Sequence, residues 1–180
     1  VDFNVVKSKQ LSEINRGSTL VNIGAYCLMP NHFHLLLGEK IEGGITRFLG
    51  KLLTAYSMYF NKRYDRRGRL FESVFQAVHA DSDEYLKYLF VYIHLNPIKL
   101  VEPEWRERGI NDQKLVAEYL LNYRYSSYLD YLEQSREESL LLNRETFPGY
   151  FQTPKEFYDY LNIWLASDDL KLHHALFFQG

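Results

Sequence analysis

Two histidines two residues apart open an apolar segment, and their spacing has the geometry of metal ligands. His32 and His34 stand at the start of a run that has the composition of a β-strand. In a strand, residues i and i+2 project to the same face, so the two imidazoles would converge while Phe33, Leu35 and Leu37 project to the other face. Imidazole is a common metal ligand, and the pair predicts half of a metal site. Because a His-x-His pair is also an ordinary strand feature, the remaining ligand must come from elsewhere.

A second segment, further along the chain, places a tyrosine and an asparagine on one helix face. Residues 81–96 have the apolar periodicity of a helix. Tyr88, Tyr92 and Asn96 follow one another at intervals of four residues and share a face beside the apolar stripe. His94 projects nearly the opposite way, and we exclude it from the site. Since the chain contains 15 tyrosines, most of which must pack in the interior, only its sequence context distinguishes Tyr92.

Four sequence blocks, taken in order, resemble one enzyme family. They are AYCLMPNHFHLLL, YFNKRYDRRGRLFES, YIHLNPIK and YRYSSYLDYL, and together they span about residues 20–130. This order resembles the single-tyrosine HUH transposases, and most closely the REP-associated tyrosine transposases (RAYT), which accompany bacterial repetitive palindromes. The His-x-His block and the Tyr-Ile-His-Leu-Asn-Pro block are specific in combination and weak apart.

The resemblance implies a metal-dependent enzyme that cleaves and rejoins single-stranded or hairpin DNA, as a monomer or a homodimer. By position, His32, His34 and Asn96 would bind the metal. Tyr92 would attack the scissile phosphate, giving a 5′-phosphotyrosine link and a free 3′-hydroxyl, so we expect its hydroxyl to be at least partly accessible. A phenol with a pKa near ~10 is a poor nucleophile at neutral pH, and a metal that offsets the phosphate charge suits this chemistry. Such ligands favour magnesium or manganese, and the histidines would also accept zinc.

The resemblance also implies the fold and the domain organisation. The family fold is α+β, an antiparallel sheet with helices packed on one face (HUH-endonuclease, ferredoxin-like). Family members open with a further strand and helix, whereas only about 19 residues precede the histidine hairpin here. We therefore expect the sequence to begin inside the family domain, with this strand and helix missing. We predict a transposase core over residues 1–101 and a helical extension over residues 102–180 that packs on or beside it.

Local patterns predict where the individual elements lie. The first 18 residues are polar and irregular. The remaining predictions follow from strand alternation, helical periodicity, capping signals and proline positions. They are strands over 19–29, 32–38 and 70–79 and helices over 45–61, 81–96 and 112–122, the last extended by 125–134. The helix over 81–96 is opened by a capping box at Asp81 and Glu84 and closed by Pro97. A last helix starts at the capping box of Thr153 and Glu156.

Basic residues are concentrated in one region, although the formal net charge of −2 is not typical of a DNA-binding protein. The helix over 45–61 has a predicted buried face of Ile45, Phe48, Leu49, Leu52, Tyr56 and Tyr59. Its opposite face is basic and continues into a basic loop, a pattern that predicts a phosphate track. A merely solvated surface explains any single member equally well. The candidate DNA-binding residues are Arg47, Lys51, Lys62, Arg63, Arg66, Arg67, Arg69 and Lys99.

Composition describes an ordinary globular protein: 46% of the residues are hydrophobic and 24% are charged. The single cysteine, Cys27, is incompatible with an internal disulfide framework and fits a reducing cytoplasm. No run approaches the roughly 18 apolar residues of a membrane span, and nothing resembles a signal peptide. We therefore predict a cytoplasmic protein that does not interact with membranes.

Three functions from different classes remain open. The first is a metal-dependent DNA nickase and strand transferase. The second is a module of the same fold that binds a DNA hairpin with little or no catalysis. The third is an unrelated metal-dependent hydrolase that uses the histidine pair and a metal-bound water. A Tyr92→Phe substitution separates them, because it abolishes covalent DNA linkage in the first, is neutral in the second and spares hydrolysis in the third.

Overall fold

The computed structural model describes residues 13–166 of the chain. The predicted irregular segment at the start therefore lies mostly outside the described residues. The elements, in order, are β1 (Val21–Leu28), β2 (Phe33–Glu39), α1 (Gly44–Arg63), α2 (Asp83–Leu95), a 3₁₀ helix (Asn96–Leu100), α3 (Trp105–Arg108), α4 (Gln113–Asn122), α5 (Tyr128–Tyr131), two further 3₁₀ turns (Glu137–Leu141 and Arg144–Thr146) and α6 (Pro154–Ala166). The α+β prediction is confirmed, with the hairpin, α1, α2, α4 and α6 close to their predicted bounds.

The strands β1 and β2 form an antiparallel hairpin, closed by a bond from the Met29 N–H to the His32 carbonyl at 2.8 Å. The other edge of β1 is paired by a segment from much later in the chain. Ser126 forms an antiparallel bridge with Cys27, flanked by N–H···O bonds from Leu28 to Tyr125 and from Ser127 to Tyr26. The predicted helix over 125–134 is therefore wrong, since these backbone groups satisfy the edge of β1 instead of a helix ladder. Helix survives there only as α5.

The chain forms two compact units. Within residues 13–166, the α1 unit comprises residues 13–22 together with residues 37–79, and the α2 unit comprises residues 23–36 together with residues 80–166. The predicted division at residue 101 stays a prediction. Within residues 13–166, no helix is sufficiently long and apolar to cross a membrane.

In the α1 unit, two details of the sequence prediction are wrong. Only Leu49 of the predicted buried face of α1 is buried, whereas Leu52 and Tyr56 are 40% and 49% exposed. The aromatic rings of this helix contact one another and Phe71 of the following loop, rather than a core. Residues 70–79 form no strand, and Val74 is 84% exposed. Alternation alone did not make a strand here, because a strand also needs an edge to pair with.

The α2 unit is built around α2, which is buried on most of its surface. The residue that caps α2 is Ser82 rather than Asp81: its hydroxyl accepts the Tyr85 N–H at 3.2 Å. At the other end, the helical conformation continues past Pro97. The helix continues as a 3₁₀ turn with Pro97 in its first turn, where proline is tolerated. The end of α2 therefore leads directly into a second helical turn that begins at Asn96.

Helix α6 closes the core of the α2 unit. Its predicted capping box is confirmed in substance: the Glu156 N–H donates to the Thr153 hydroxyl at 3.2 Å, and the Glu156 carboxylate accepts the Gln152 N–H at 2.8 Å. Phe157, on its first turn, is fully buried and its ring packs against His94 of α2.

His94 is a buried structural residue of the same core. Its Nδ1 lies 2.7 Å from the Phe90 carbonyl, which can only accept, so Nδ1 carries the proton. Its Nε2, 2.7 Å from the Ser127 hydroxyl, therefore accepts a hydrogen bond. Burial lowers the pKa of His94 to about 3, and the ring is neutral at physiological pH. These bonds tie α2 to the segment that pairs with β1.

Candidate functional site

The structure brings the two histidines and Tyr92 together inside the α2 unit. His32 lies in the turn before β2 and His34 near the start of β2. Their ring centroids are 5.0 Å apart at an interplanar angle of 85°. Tyr92, on α2, places its ring centroid 5.2 Å from that of His34, also edge to face. The three rings thus form one cluster between the hairpin and the central helix.

Asn96 lies one turn beyond Tyr92, as the first residue of the 3₁₀ helix. It is 2% exposed, and its Nδ2 has no hydrogen-bond partner. A buried amide nitrogen without a hydrogen-bond partner is costly in a packed core. The face of α2 that carries Tyr88 and Tyr92 therefore leads to a buried polar side chain, that of Asn96.

Both histidines are neutral at neutral pH, which is the form that binds metals. Burial is the largest cause that lowers the pKa of His34 to about 4, and the charges of His32 and Arg106 lower it further. The pKa of His32 is lowered by burial and then by Lys99. Lys99 is thus electrostatically coupled to the site.

Each histidine has one ring nitrogen that could bind a metal. The His32 Nδ1 lies 2.7 Å from the Asn31 side-chain oxygen, an acceptor, so Nδ1 carries the proton and the Nε2 lone pair is available. The His34 Nε2 is buried and has no hydrogen-bond partner. Within residues 13–166, no group of three His, Cys, Asp or Glu side chains is placed to hold a metal. A metal would therefore depend on two imidazoles and the Asn96 amide oxygen, a donor set that fits a divalent cation.

Tyr92 is less accessible than expected for a nucleophile. Its side chain retains only 9% of its exposed surface. The ring contacts His34 on one side and Tyr88, one turn earlier on α2, at 5.9 Å.

Arg106 is a site residue that the sequence analysis missed. It lies in α3, and its guanidinium carbon is 4.7 Å from the centroid of the Tyr92 ring and 5.3 Å from that of Trp105. Its Nε and Nη2 are buried and have no hydrogen-bond partner. No local pattern could have identified this residue, because its contact with Tyr92 depends on how the chain folds back after the 3₁₀ helix.

The predicted DNA-binding residues other than Lys99 lie in the α1 unit. All seven are exposed, on α1 or on the loop that follows it. Arg63 and Arg66 stack on the aromatic rings of Tyr64 and Phe60 at 6.0 Å and 5.6 Å. Their role in binding DNA stays a prediction.

The family comparison covers the part of the chain that contains these residues. Residues 8–96 match the family of IS200-like transposases. The matched region contains the histidine pair and Tyr92 and ends at Asn96, so it covers all four of the residues predicted to carry the chemistry. The match supports a transposase family and a transposase-like DNA-processing function for the IS200-like region. No curated protein and no solved structure matched the chain.

Proposed function

We propose that this protein is a single-tyrosine HUH transposase, a metal-dependent endonuclease and strand transferase for single-stranded DNA, similar to the REP-associated enzymes. One observation carries the proposal: the edge-to-face contact of His34 and Tyr92, with Asn96 one turn further on, inside the IS200-like region. Histidine pairs occur in many kinds of metal site. A tyrosine beside the pair adds the nucleophile that strand transfer requires.

In the proposed reaction, Tyr92 is the nucleophile. A bond forms between its phenolic oxygen and the scissile phosphorus while the P–O3′ bond breaks. The phenol loses its proton and the leaving 3′-oxygen gains one, so no net proton is released. The products are a 5′-phosphotyrosine and a strand with a free 3′-hydroxyl. Because one phosphodiester replaces another, the step is close to isoenergetic, and attack by a 3′-hydroxyl reverses it.

His32, His34 and Asn96 would hold a magnesium or manganese ion. When bound, the ion supplies charge neutralisation and orientation of the phosphate. The protein contributes two neutral imidazoles in fixed positions, one of which is oriented by Asn31. The Tyr92 ring contacts the His34 ring, the Tyr88 ring and the Arg106 guanidinium.

The proposed substrate is a DNA hairpin or palindrome, in line with the resemblance to REP-associated enzymes. The basic face of α1 and the loop after it would bind the phosphate backbone of the strand, and exposed aromatic rings such as Tyr56 would stack on unpaired bases.

The test is a covalent-adduct assay with short single-stranded hairpin oligonucleotides and manganese. We expect the wild-type protein to form a protein–DNA adduct that survives denaturant, and we expect none after chelation. Tyr92→Phe should form no adduct, whereas Tyr88→Phe, one turn earlier on the same helix, should retain activity. Cleavage that persists in Tyr92→Phe would indicate the hydrolase instead.

A second candidate, a hairpin-binding module with little catalysis, is favoured by one observation. Tyr92 keeps only 9% of its surface exposed, and a residue that serves only to pack would look the same. Wild-type protein that binds hairpins in a salt-dependent manner, but forms no adduct with any divalent metal, would establish this alternative.

A further inference from the structure

Arg106 lies against the proposed nucleophile, and among residues 13–166 two of its buried guanidinium nitrogens have no hydrogen-bond partner. The guanidinium covers the Tyr92 ring, and it also lowers the pKa of His34. The two unpartnered nitrogens, Nε and Nη2, form the side-on edge of the guanidinium, whose two parallel N–H groups match the spacing of two oxygens on one carboxylate or phosphate.

The charge of Arg106 is held in place but not neutralised by the protein. An arginine stays protonated in any protein environment, so burial leaves it cationic. Within the part of the chain that the structure describes, no carboxylate forms an ion pair with it. Two acidic residues nearby in the sequence are engaged elsewhere: the Glu102 carboxylate accepts the backbone N–H groups of Asn111 and Asp112 at 2.8 Å, and Glu104 pairs with Arg108 at 2.7 Å. The contacts with Tyr92 and Trp105 fix its position through cation–π attraction.

We propose that Arg106 binds a phosphate of the DNA strand at this site, through the two N–H groups of its Nε–Nη2 edge. The inference rests on the proposed function, because attack by Tyr92 brings a phosphodiester next to this guanidinium. A phosphate oxygen pair completes the missing hydrogen bonds, and the positive charge opposes the negative charge of the attacked group. Arg106 lies beyond the IS200-like region, so the segment after Asn96 contributes this contact to the site.

The test uses the full chain with three variants. Arg106→Gln removes the charge, and Arg106→Lys retains the charge but lacks the paired N–H edge. Arg108→Gln is the matched control, since Arg108 lies two residues away on the same short helix, with a side chain that is 73% exposed. Circular dichroism and thermal denaturation establish that each variant is folded.

The first readout is affinity for a fluorescent single-stranded hairpin over a range of salt concentrations. We expect Arg106→Gln to bind the hairpin at least about 10-fold more weakly than the wild type. The slope of log K against log salt should decrease in magnitude by ~0.7, the value for one lost contact to single-stranded DNA. Arg106→Lys should keep the slope and still lose affinity. Arg108→Gln should match the wild type. Unchanged affinity and slope in Arg106→Gln would overturn the proposal, and so would wild-type affinity in Arg106→Lys.

The second readout is the rate of adduct formation with manganese, which separates this inference from the proposed function. We expect Arg106→Gln to form the adduct at least ~100-fold more slowly at saturating DNA, as when one anion-stabilising donor is removed from an enzyme. If the wild type forms no adduct, the proposed strand transfer is wrong. The affinity and slope of the variants then still decide whether Arg106 contacts phosphate. If Arg106→Gln forms the adduct at the wild-type rate, the proposed role of Arg106 is wrong and the proposed strand transfer still stands.

Discussion

Replacement of Arg136 by methionine should destabilise the α2 unit strongly. The Arg136 Nε and Nη2 donate to the two carboxylate oxygens of Asp130 at 2.8 and 2.7 Å, and the two side chains are only 12% and 1% exposed. The same guanidinium donates at 2.8 Å to the backbone carbonyls of Arg124 and Ser126, next to the segment that pairs with β1, and it also contacts the Tyr26 hydroxyl. One side chain thus connects Asp130, this segment and β1.

The size of the effect follows from what the substitution leaves behind. Removing one partner of a buried ion pair leaves the other as an uncompensated buried charge, and this costs about 3–5 kcal/mol. For a chain of this size each kcal/mol lowers the melting temperature by roughly 2–4 °C, so Arg136→Met should melt at least ~6 °C lower. The free energy of unfolding, measured by urea denaturation followed by circular dichroism, gives the number directly.

Two further variants make the prediction sharp. Arg108→Met removes an exposed pair with Glu104 and should change stability by less than ~0.5 kcal/mol. The double variant Asp130→Asn with Arg136→Met should lose much less than the sum of its two single changes, because it leaves no buried charge. A loss below ~1 kcal/mol for Arg136→Met, or additive losses in the double variant, would refute the reasoning.

Three other predictions follow from the site and the core. Ser127→Ala should cost about 1–3 kcal/mol in the free energy of unfolding, since it leaves the buried His94 Nε2 without a donor; a neutral result in urea denaturation would contradict the hydrogen-bond assignment. His34→Ala should abolish manganese binding, measured by titration calorimetry, and with it adduct formation; undiminished binding would exclude His34 as a ligand. Replacing Arg66 and Arg67 together by alanine should weaken single-strand binding and reduce the salt slope by ~1.4, two contacts at ~0.7 each; an unchanged slope would show that this loop is only solvated.

Much of the fold could be predicted from local signals. The histidine hairpin follows from alternation around Pro30 and Asn31, and α6 follows from the capping box that starts at Thr153. Strand periodicity predicts that His32 and His34 share a face, and helix periodicity predicts the same for Tyr92 and Asn96. Only the family resemblance implied that the histidines lie beside Tyr92.

The misplaced cap of α2, at Ser82 rather than Asp81, is a local error. The larger errors concern partners that lie far away in the sequence. Residues 125–127 leave a helical pattern because the edge of β1, a hundred residues earlier, needs backbone partners. Val74 shows the converse, an alternating segment without an edge to join. Arg106 belongs to the same class, since its place over Tyr92 is set by the fold after Asn96 rather than by spacing. Local patterns carry no information about such contacts.

The most direct test of the account is to identify the amino acid that carries the DNA in a trapped adduct. Trypsin cleaves after Lys87 and Lys99, so the expected product is one peptide, Tyr88–Lys99, that carries the nucleotide remnant. This peptide contains Tyr88 as well as Tyr92, and fragmentation by tandem mass spectrometry distinguishes them. The account predicts attachment at Tyr92 and no adduct from Tyr92→Phe. Attachment at Tyr88, at Tyr85 or outside α2, or an undiminished adduct from Tyr92→Phe, would contradict it.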